Sequence, residues 1–277
     1  MRHQKRYAVV EKRMGETPRM ALERFRVAEC LPESLPLTYA GRLDPLASGK
    51  LIILIGDECK KKDAYTSLDK EYVVEILLGF STDTGDILGM PTHGVPLPQP
   101  VTPSAVRNVL HTFIGKCRVP YPHFSSKTVA GKSLLTHTLE GSLHTIAIPT
   151  TVRTIYRIFL DGIRTISTQT LHGDIHEKLS TIAHKSSSIA VMGNDFRLPT
   201  ITTAWEHLRA STPHDALYTI LTVRVTCSSG TYMRTLANDV ARALGTSGLA
   251  FSIRRTHIGR YHSLPFFPQV GIWRDKA

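Results

Sequence analysis

The sequence is poor in cysteine. Four stand in 277 residues, at 30, 59, 117 and 227, and no two have the C-x-x-C spacing of the usual zinc sites. They read as free thiols in a reducing compartment rather than as a disulfide framework. Long apolar runs are missing as well. "LIILI", residues 51–55, is among the longest and is far too short to span a bilayer. The amino-terminal "MRHQKRYAVVEKR" is basic but has no apolar stretch behind it, so it is not a signal peptide. A cytoplasmic protein without membrane association is expected.

Acidic residues are the third scarcity. There are 23 against 34 lysines and arginines, which leaves a formal charge of +11 and a pI of about 9.6. The excess is concentrated. Residues 101–166 carry eight basic residues against Glu140 and Asp161, and residues 220–277 carry eight against Asp239 and Asp275. A solvated basic surface would explain part of this. Both segments also carry ordered-looking structure, which favours a nucleic-acid partner. What is plentiful is ordinary: 42% hydrophobic and 21% charged residues, which excludes disorder along the whole length. The length suits one large domain or two small ones.

Local patterns divide the chain into strands and helices. "YAVV", "KLIILIG" and "EYVVEILLG" read as strands, and "LTVRVTCS" alternates with Val223, Val225 and Cys227 on one face. Two helices announce themselves by a threonine cap followed by proline, Thr17-Pro18 and Thr102-Pro103. "TYMRTLANDVARALG" carries an apolar stripe of Met233, Leu236, Ala237, Val240 and Leu244. Residues 145–166 look like two or three strands, and 81–100 like a polar loop rich in proline and glycine. Residues 167–216 read as a solvent-facing helical insertion, two helices joined by a polar link. His172 and His176 share a helix face there, but no carboxylate pattern supports a metal. The irregular alternation predicts an α+β fold with a mixed sheet.

Three residues suggest chemistry. Asp44 sits on a turn between Leu43 and Pro45, with Gly41 and Gly49 on either side, at the mouth of a buried strand. A turn aspartate often caps its own backbone. A stiff turn is also what a preorganised nucleophile or general base requires. Tyr72 heads a strand, where it is either a core ring or a wall against which a flat base stacks. Arg234 falls in the first turn of a helix, where a cation opposes the helix dipole. A carboxylate partner would offset that cost. "IRRTHIG" places Arg254 and Arg255 beside a strand-like segment, as phosphate contacts would be.

Four blocks, in order, resemble the TruB family of tRNA pseudouridine synthases: "YAGRLDPLASGKLIILIGDECK", "KEYVVEILLGFSTDTGDILG", "PHFSSKTVAGKSL" and "VTCSSGTYMRTLANDVARALGTSGLAFSIRRTHIGRY". The resemblance implies a pseudouridine synthase fold with a mixed, mostly antiparallel sheet flanked by helices. It implies Asp44 as the catalytic aspartate and Tyr72 stacked on the target uracil. Tyr232 and Ile253 would line the base pocket. Arg234 would orient Asp44, and Asp86 would hold its loop and the flipped nucleotides. Lys12, Lys127, Arg254 and Arg255 would face the RNA. The implied substrate is uridine 55 in the T-loop of tRNA, converted without cofactor or metal, by a monomer that needs no guide RNA.

Tyr39 and Arg42, counted among the substrate-binding residues, depart from the family pattern, which has histidine and then threonine or alanine there. "R-L-D" with a later "S-G" is the pattern of the RluA and RsuA branches. An RluA/RsuA-like synthase acting on ribosomal RNA is therefore one rival. A non-catalytic RNA-binding or RNA-chaperone protein on the same scaffold is another. Sixteen residues follow Tyr261, too few for the extra RNA-binding PUA domain of many relatives. A single catalytic domain over 1–277 is expected.

Overall fold

The computed structural model describes residues 6–97, 100–186, 197–264 and 267–274. The chain begins with strand β1 (Tyr7–Lys12), helix α1 (Pro18–Ala28), and strands β2 (Leu37–Ala40) and β3 (Ser48–Ile55). Short helix α2 (Lys62–Thr66) leads to β4 (Asp69–Leu78), and β5 (Phe80–Thr82) pairs with β6 (Pro91–His93) largely inside the segment expected to be loop. Then come α3 (Pro103–His111) and β7 (Gly115–Pro120), the two-residue strands β8 (Thr128–Val129) and β9 (Lys132–Ser133), and α4 (Leu134–Leu139). The rest is β10 (Thr150–Ser167), α5 (Thr168–Ser186), α6 (Leu198–Ala210), β11 (Leu217–Cys227), α7 (Met233–Ala243), β12 (Gly248–Leu264) and β13 (Phe267–Arg274).

Nine strands form one sheet in the order β1-β3-β12-β4-β11-β10-β7, with β2 also on β3 and β13 also on β12. Every pairing is antiparallel except β3 with β12, where Ser48 and Gly49 face Arg254 and Arg255. The sheet is thus mixed and mostly antiparallel. The two capped helices start where their sequences say: Thr17 and Thr102 accept hydrogen bonds from Met20 and Ala105 nitrogens. The segment 145–166 differs from expectation. It enters one 18-residue strand, β10, whose pairing with β11 slips between Ile155 and Arg157 and between Leu160 and Gly162. Each slip breaks the period of two, so a continuous strand reads as several.

The pleat separates two cores. Tyr72, Val74 and Ile76 of β4 face one side with Leu221, Val223 and Val225 of β11. Val106 and Leu110 of α3 and the α7 stripe cover them. At the far ends of the strands Leu77, Ile220, Leu249 and Phe251 belong to a second core, beneath α5 and α6. The insertion is therefore not merely solvent-facing. Leu171, Ile175, Leu179 and Ile182 of α5 recur at helical spacing and are at most 2% exposed. Trp205 of α6 joins them and donates its indole N–H to Ile87 O at 3.0 Å. This core also takes in Leu46 and Ile87, so the insertion supports both the Asp44 turn and the loop that bears Asp86. Residues 187–196, where the sequence predicts the polar link, lie outside the described residues.

Candidate functional site

Asp44 projects from the turn between β2 and β3, its side chain about half exposed. Its own carbonyl accepts from Ala47 N at 3.1 Å, which closes the turn. Arg234, two residues past the cap of α7, is 6% exposed and crosses beneath it. Its Nε lies 2.9 Å from Asp44 Oδ2 and 3.6 Å from Asp86 Oδ2. The Nε–H is not aligned on either oxygen, so these contacts are charge pairing without a shaped hydrogen bond. The two end nitrogens donate to Thr84 O and Phe124 O, each at 2.9 Å. Burial alone would lower the guanidinium pKa, but Asp44 and Asp86 more than reverse this.

Asp86 sits lower, 3% exposed. Its Oδ1 accepts from Thr84 Oγ1 at 2.7 Å and from Leu88 N at 3.0 Å. Burial pushes its carboxyl up, against the pull of Arg234 and Thr84. The loop reaches α7 closely because Gly85, at φ +77°, has no side chain; a Cβ there would stand 3.3 Å from Arg234 O. Asp86 thus fixes the loop and backs Arg234, while Arg234 meets Asp44 in front.

Around Asp44 stand the rings. Tyr72 of β4 is 8% exposed and packs with Leu43, Ala47 and Ile253 in one cluster. Its hydroxyl is raised by burial, partly offset by Arg255 beside it. Tyr232 caps α7 without using its side chain, and its hydroxyl lies within reach of the Asp44 charge. Burial and the Asp44 charge both raise its hydroxyl. The turn before it is moored to β10 through Thr154 N donating to Ser228 Oγ at 2.9 Å.

Two residues expected to face RNA do not. Lys12 is fully buried, and its ammonium donates to Arg13 O at 3.0 Å and to Ala47 O. Arg255 is 1% exposed and donates to Lys50 O at 2.7 Å, Gly41 O at 3.0 Å and Arg42 O at 3.5 Å. Both cations clamp carbonyls around the turn that presents Asp44, Arg255 at its start and on the β3 strand that follows it, Lys12 at its closing residue Ala47. A buried charge needs such donors and acceptors satisfied, and the turn's carbonyls supply them. Gly49, at φ +106°, completes the clamp, since a Cβ there would lie 2.2 Å from Arg255 O. The sequence shows both charges but not their burial.

Tyr39 is likewise not gathered at Asp44. Its ring packs with Val10, Phe25 and Leu37 against α1, and the Lys62 ammonium lies 5.3 Å from its centroid. Arg42 is exposed beside the turn. Arg254 is exposed and pairs with Glu11 at 3.3 Å, and Lys127 is exposed near Tyr121. Among the described residues no group of three or more His, Cys, Asp or Glu is placed to hold a metal ion, and no helix is long and apolar enough to cross a membrane. A groove of about 470 Å³ between α5 and α6 shares no residue with the Asp44 site.

This fold matches that in the crystal structure of a Cbf5-Nop10-Gar1 complex, with a TM-score of 0.50 over 91% of this chain and 48% of that one, at 15% identity. It is the pseudouridine synthase fold. At the level of sequence, residues 36–178 match the model described as TruB family pseudouridylate synthase (N terminal domain), a span holding Asp44, Tyr72 and Asp86. The chain belongs to the TruB family. It is 27% identical over 266 residues to the tRNA pseudouridine synthase B of Aromatoleum aromaticum, covering 94% of this chain and 67% of that protein. With the same-named protein of Azoarcus sp. it shares 29% over 253 residues, 91% of this chain and 64% of the relative. With that of Syntrophomonas wolfei it shares 27% over 234 residues, 84% and 60%. The chain spans about two thirds or less of the length of these relatives.

Proposed function

We propose that this chain isomerises uridine to pseudouridine in tRNA, at uridine 55 of the T-loop, with Asp44 as the reacting carboxylate. The observation that carries the reading is Arg234 Nε at 2.9 Å from Asp44 Oδ2, beneath a half-exposed carboxylate flanked by Tyr72 and Tyr232. The bond from N1 of uracil to C1′ breaks, the ring turns, and C5 bonds to C1′. C5 loses a proton and N1 gains one, so no electrons and no outside group are required. The base must leave the stack to reach Asp44. Tyr72, Tyr232 and Ile253 would receive it, and Arg234 would hold the carboxylate in one orientation. Arg254 and Lys127 would meet the phosphates. Family membership and the relatives' names favour tRNA over ribosomal RNA, and the intact Asp44–Arg234–Asp86 set favours an enzyme over a passive binder. The reading takes the described residues as one catalytic unit, with α5 and α6 as an insertion in it. It takes the chain as a cytoplasmic monomer acting on a T-arm without a guide RNA.

The test is carbodiimide mapping of pseudouridine after incubation with tRNA, with and without Asp44→Asn. Wild type is expected to mark uridine 55. Asp44→Asn is expected to mark nothing while its RNA affinity stays within about tenfold of wild type, because phosphate contacts dominate binding. Near-normal turnover by Asp44→Asn removes Asp44 from its role. Modification of a ribosomal hairpin but not of tRNA overturns the substrate.

A further inference from the structure

We propose that Tyr121, Arg153 and Lys127 form a phosphodiester-binding site on the rim of the Asp44 site. They would grip the RNA backbone beside the nucleotide that is turned out. The inference rests on the reading of the chain as an RNA-modifying enzyme.

The three side chains come from separate elements. Tyr121 follows β7, and its N–H donates to Pro149 O at 3.1 Å, which ties together the two ends of the excursion between β7 and β10. Lys127 lies on that excursion, and Arg153 lies on β10. The Lys127 ammonium is 5.3 Å from the Tyr121 ring centroid and the Arg153 guanidinium 5.5 Å. The ring itself meets Tyr232 edge-on at 6.3 Å, and Tyr232 is near enough to Asp44 to feel its charge. The cluster therefore adjoins the site.

Arg153 is placed with care. Its guanidinium lies over Gly230 in the turn before α7. A Cβ on that glycine would stand 2.7 Å from one nitrogen and 2.8 Å from Cζ. One of its end nitrogens donates to Val152 O at 3.2 Å, and the buried Nε has no hydrogen-bond partner. A buried N–H left unmet costs free energy unless a ligand meets it.

Charge points the same way. Among the described residues no carboxylate lies within 4.0 Å of Arg153 or of Lys127. Four other cations on this sheet and excursion have carboxylate partners, Arg164 with Glu75, Arg224 with Asp161, Arg254 with Glu11 and Lys132 with Glu140, whereas Lys116, Arg118 and Arg157 have none among the described residues. Two unneutralised cations share one phenol. Burial would raise that hydroxyl, but neighbouring Arg153, Thr151 and Lys127 bring it below its usual value. Phosphate answers this arrangement, since an Arg fork, a Lys point charge and a tyrosine hydroxyl are each groups it binds.

The test compares Arg153→Gln with Arg153→Lys, binding a T-arm stem-loop in the Asp44→Asn background from about 50 to 200 mM salt. Loss of one phosphate contact is expected to make log affinity against log salt shallower by about 0.7–0.9. At low salt the affinity of Arg153→Gln is expected to fall about fivefold. Arg153→Lys keeps the charge and is expected to keep the salt slope. With Asp44 intact, Arg153→Gln is expected to raise KM more than it lowers kcat. An unchanged slope in Arg153→Gln overturns the site. So does an equal flattening in both variants, which would report distortion of β10 instead of a lost charge. Wild type that binds RNA but makes no pseudouridine removes the proposed reaction, while the slopes still decide the site. Wild type without salt-dependent RNA binding overturns both.

Discussion

Replacing Arg234 by Met would separate what holds the site together from what makes it react. Methionine matches the apolar stem and removes the charge. It strands Asp86, a 3% exposed carboxylate, and leaves Thr84 O and Phe124 O without their donor. Breaking a buried ion pair from one side costs about 3–5 kcal/mol. Asp44 adds little to that cost, because its side chain is about half exposed and water replaces the partner. The loss therefore traces mainly to Asp86, and removing that charge as well should recover part of it. Asp86→Asn keeps an oxygen for Thr84 Oγ1 and Leu88 N.

The double variant is expected to be more stable than the sum of the single losses by about 1–3 kcal/mol. The pH dependence has a definite sign. Burial already raises the Asp86 carboxyl, and without Arg234 it rises further. A carboxyl raised on folding favours the folded state in acid and loses that advantage as pH climbs through the raised value. The deficit of Arg234→Met relative to wild type should therefore widen with pH, and the double variant should lack that slope. Activity should not return, since Asp44 has lost its orienting partner, and misplacement of a reacting group costs about 100-fold. Denaturant titrations of the four proteins at several pH values, with single-turnover kinetics, read both halves. Losses that add to within about 0.5 kcal/mol would refute the Asp86–Arg234 coupling. Recovery of turnover in the double variant would refute the orienting role.

Tyr72→Phe is expected to retain RNA affinity and Tyr72→Ala to lose about 1–3 kcal/mol of it, the worth of a stacked base. Equal losses in filter binding would show that the hydroxyl, not the ring, matters. Lys70 is 3% exposed, and burial lowers its ammonium from the usual value to about 8. Protonating it costs the folded state, so wild type should gain on Lys70→Met by at most about 3 kcal/mol as pH rises from about 8 to 10.5. A stability difference that stays flat across that window would sink the claim. Gly49→Ala should cost more than about 4 kcal/mol, since its Cβ would meet the Arg255 backbone at 2.2 Å. A melting temperature near that of wild type would mean that β3 and β12 can part.

Much of this was legible because short-range chemistry decided it. Thr17-Pro18 and Thr102-Pro103 start helices through their own hydroxyls and rings, wherever the helix later packs. The α7 stripe and the alternation of β11 each report one buried face. Arg234 at a helix start asked for a carboxylate, and the fold provides two. Burial of charge was not legible. Lys12 and Arg255 carry the same side chains as surface residues, and carbonyls of the Asp44 turn, distant in sequence, help to make their burial tolerable. Arg153 and Tyr121 stand outside the quoted motifs, and a position over Gly230 leaves no trace in local pattern. The α5 stripe at 171, 175, 179 and 182 was in plain view, and its spacing would have marked that face as core.

The clamp on the Asp44 turn also sets a schedule. Arg255 reaches back 213 residues to Arg42, and Arg234 reaches back 150 to Thr84. A chain emerging from the ribosome presents its carboxylate early and the groups that aim it late. Until α7 and β12 have emerged, the turn lacks Arg234 beneath it and Arg255 at its start. Contacts so far apart in sequence form slowly, after the local elements are in place. The unfinished molecule thus presents its carboxylate without the groups that aim it, and β12, one of the last strands to be made, completes the site.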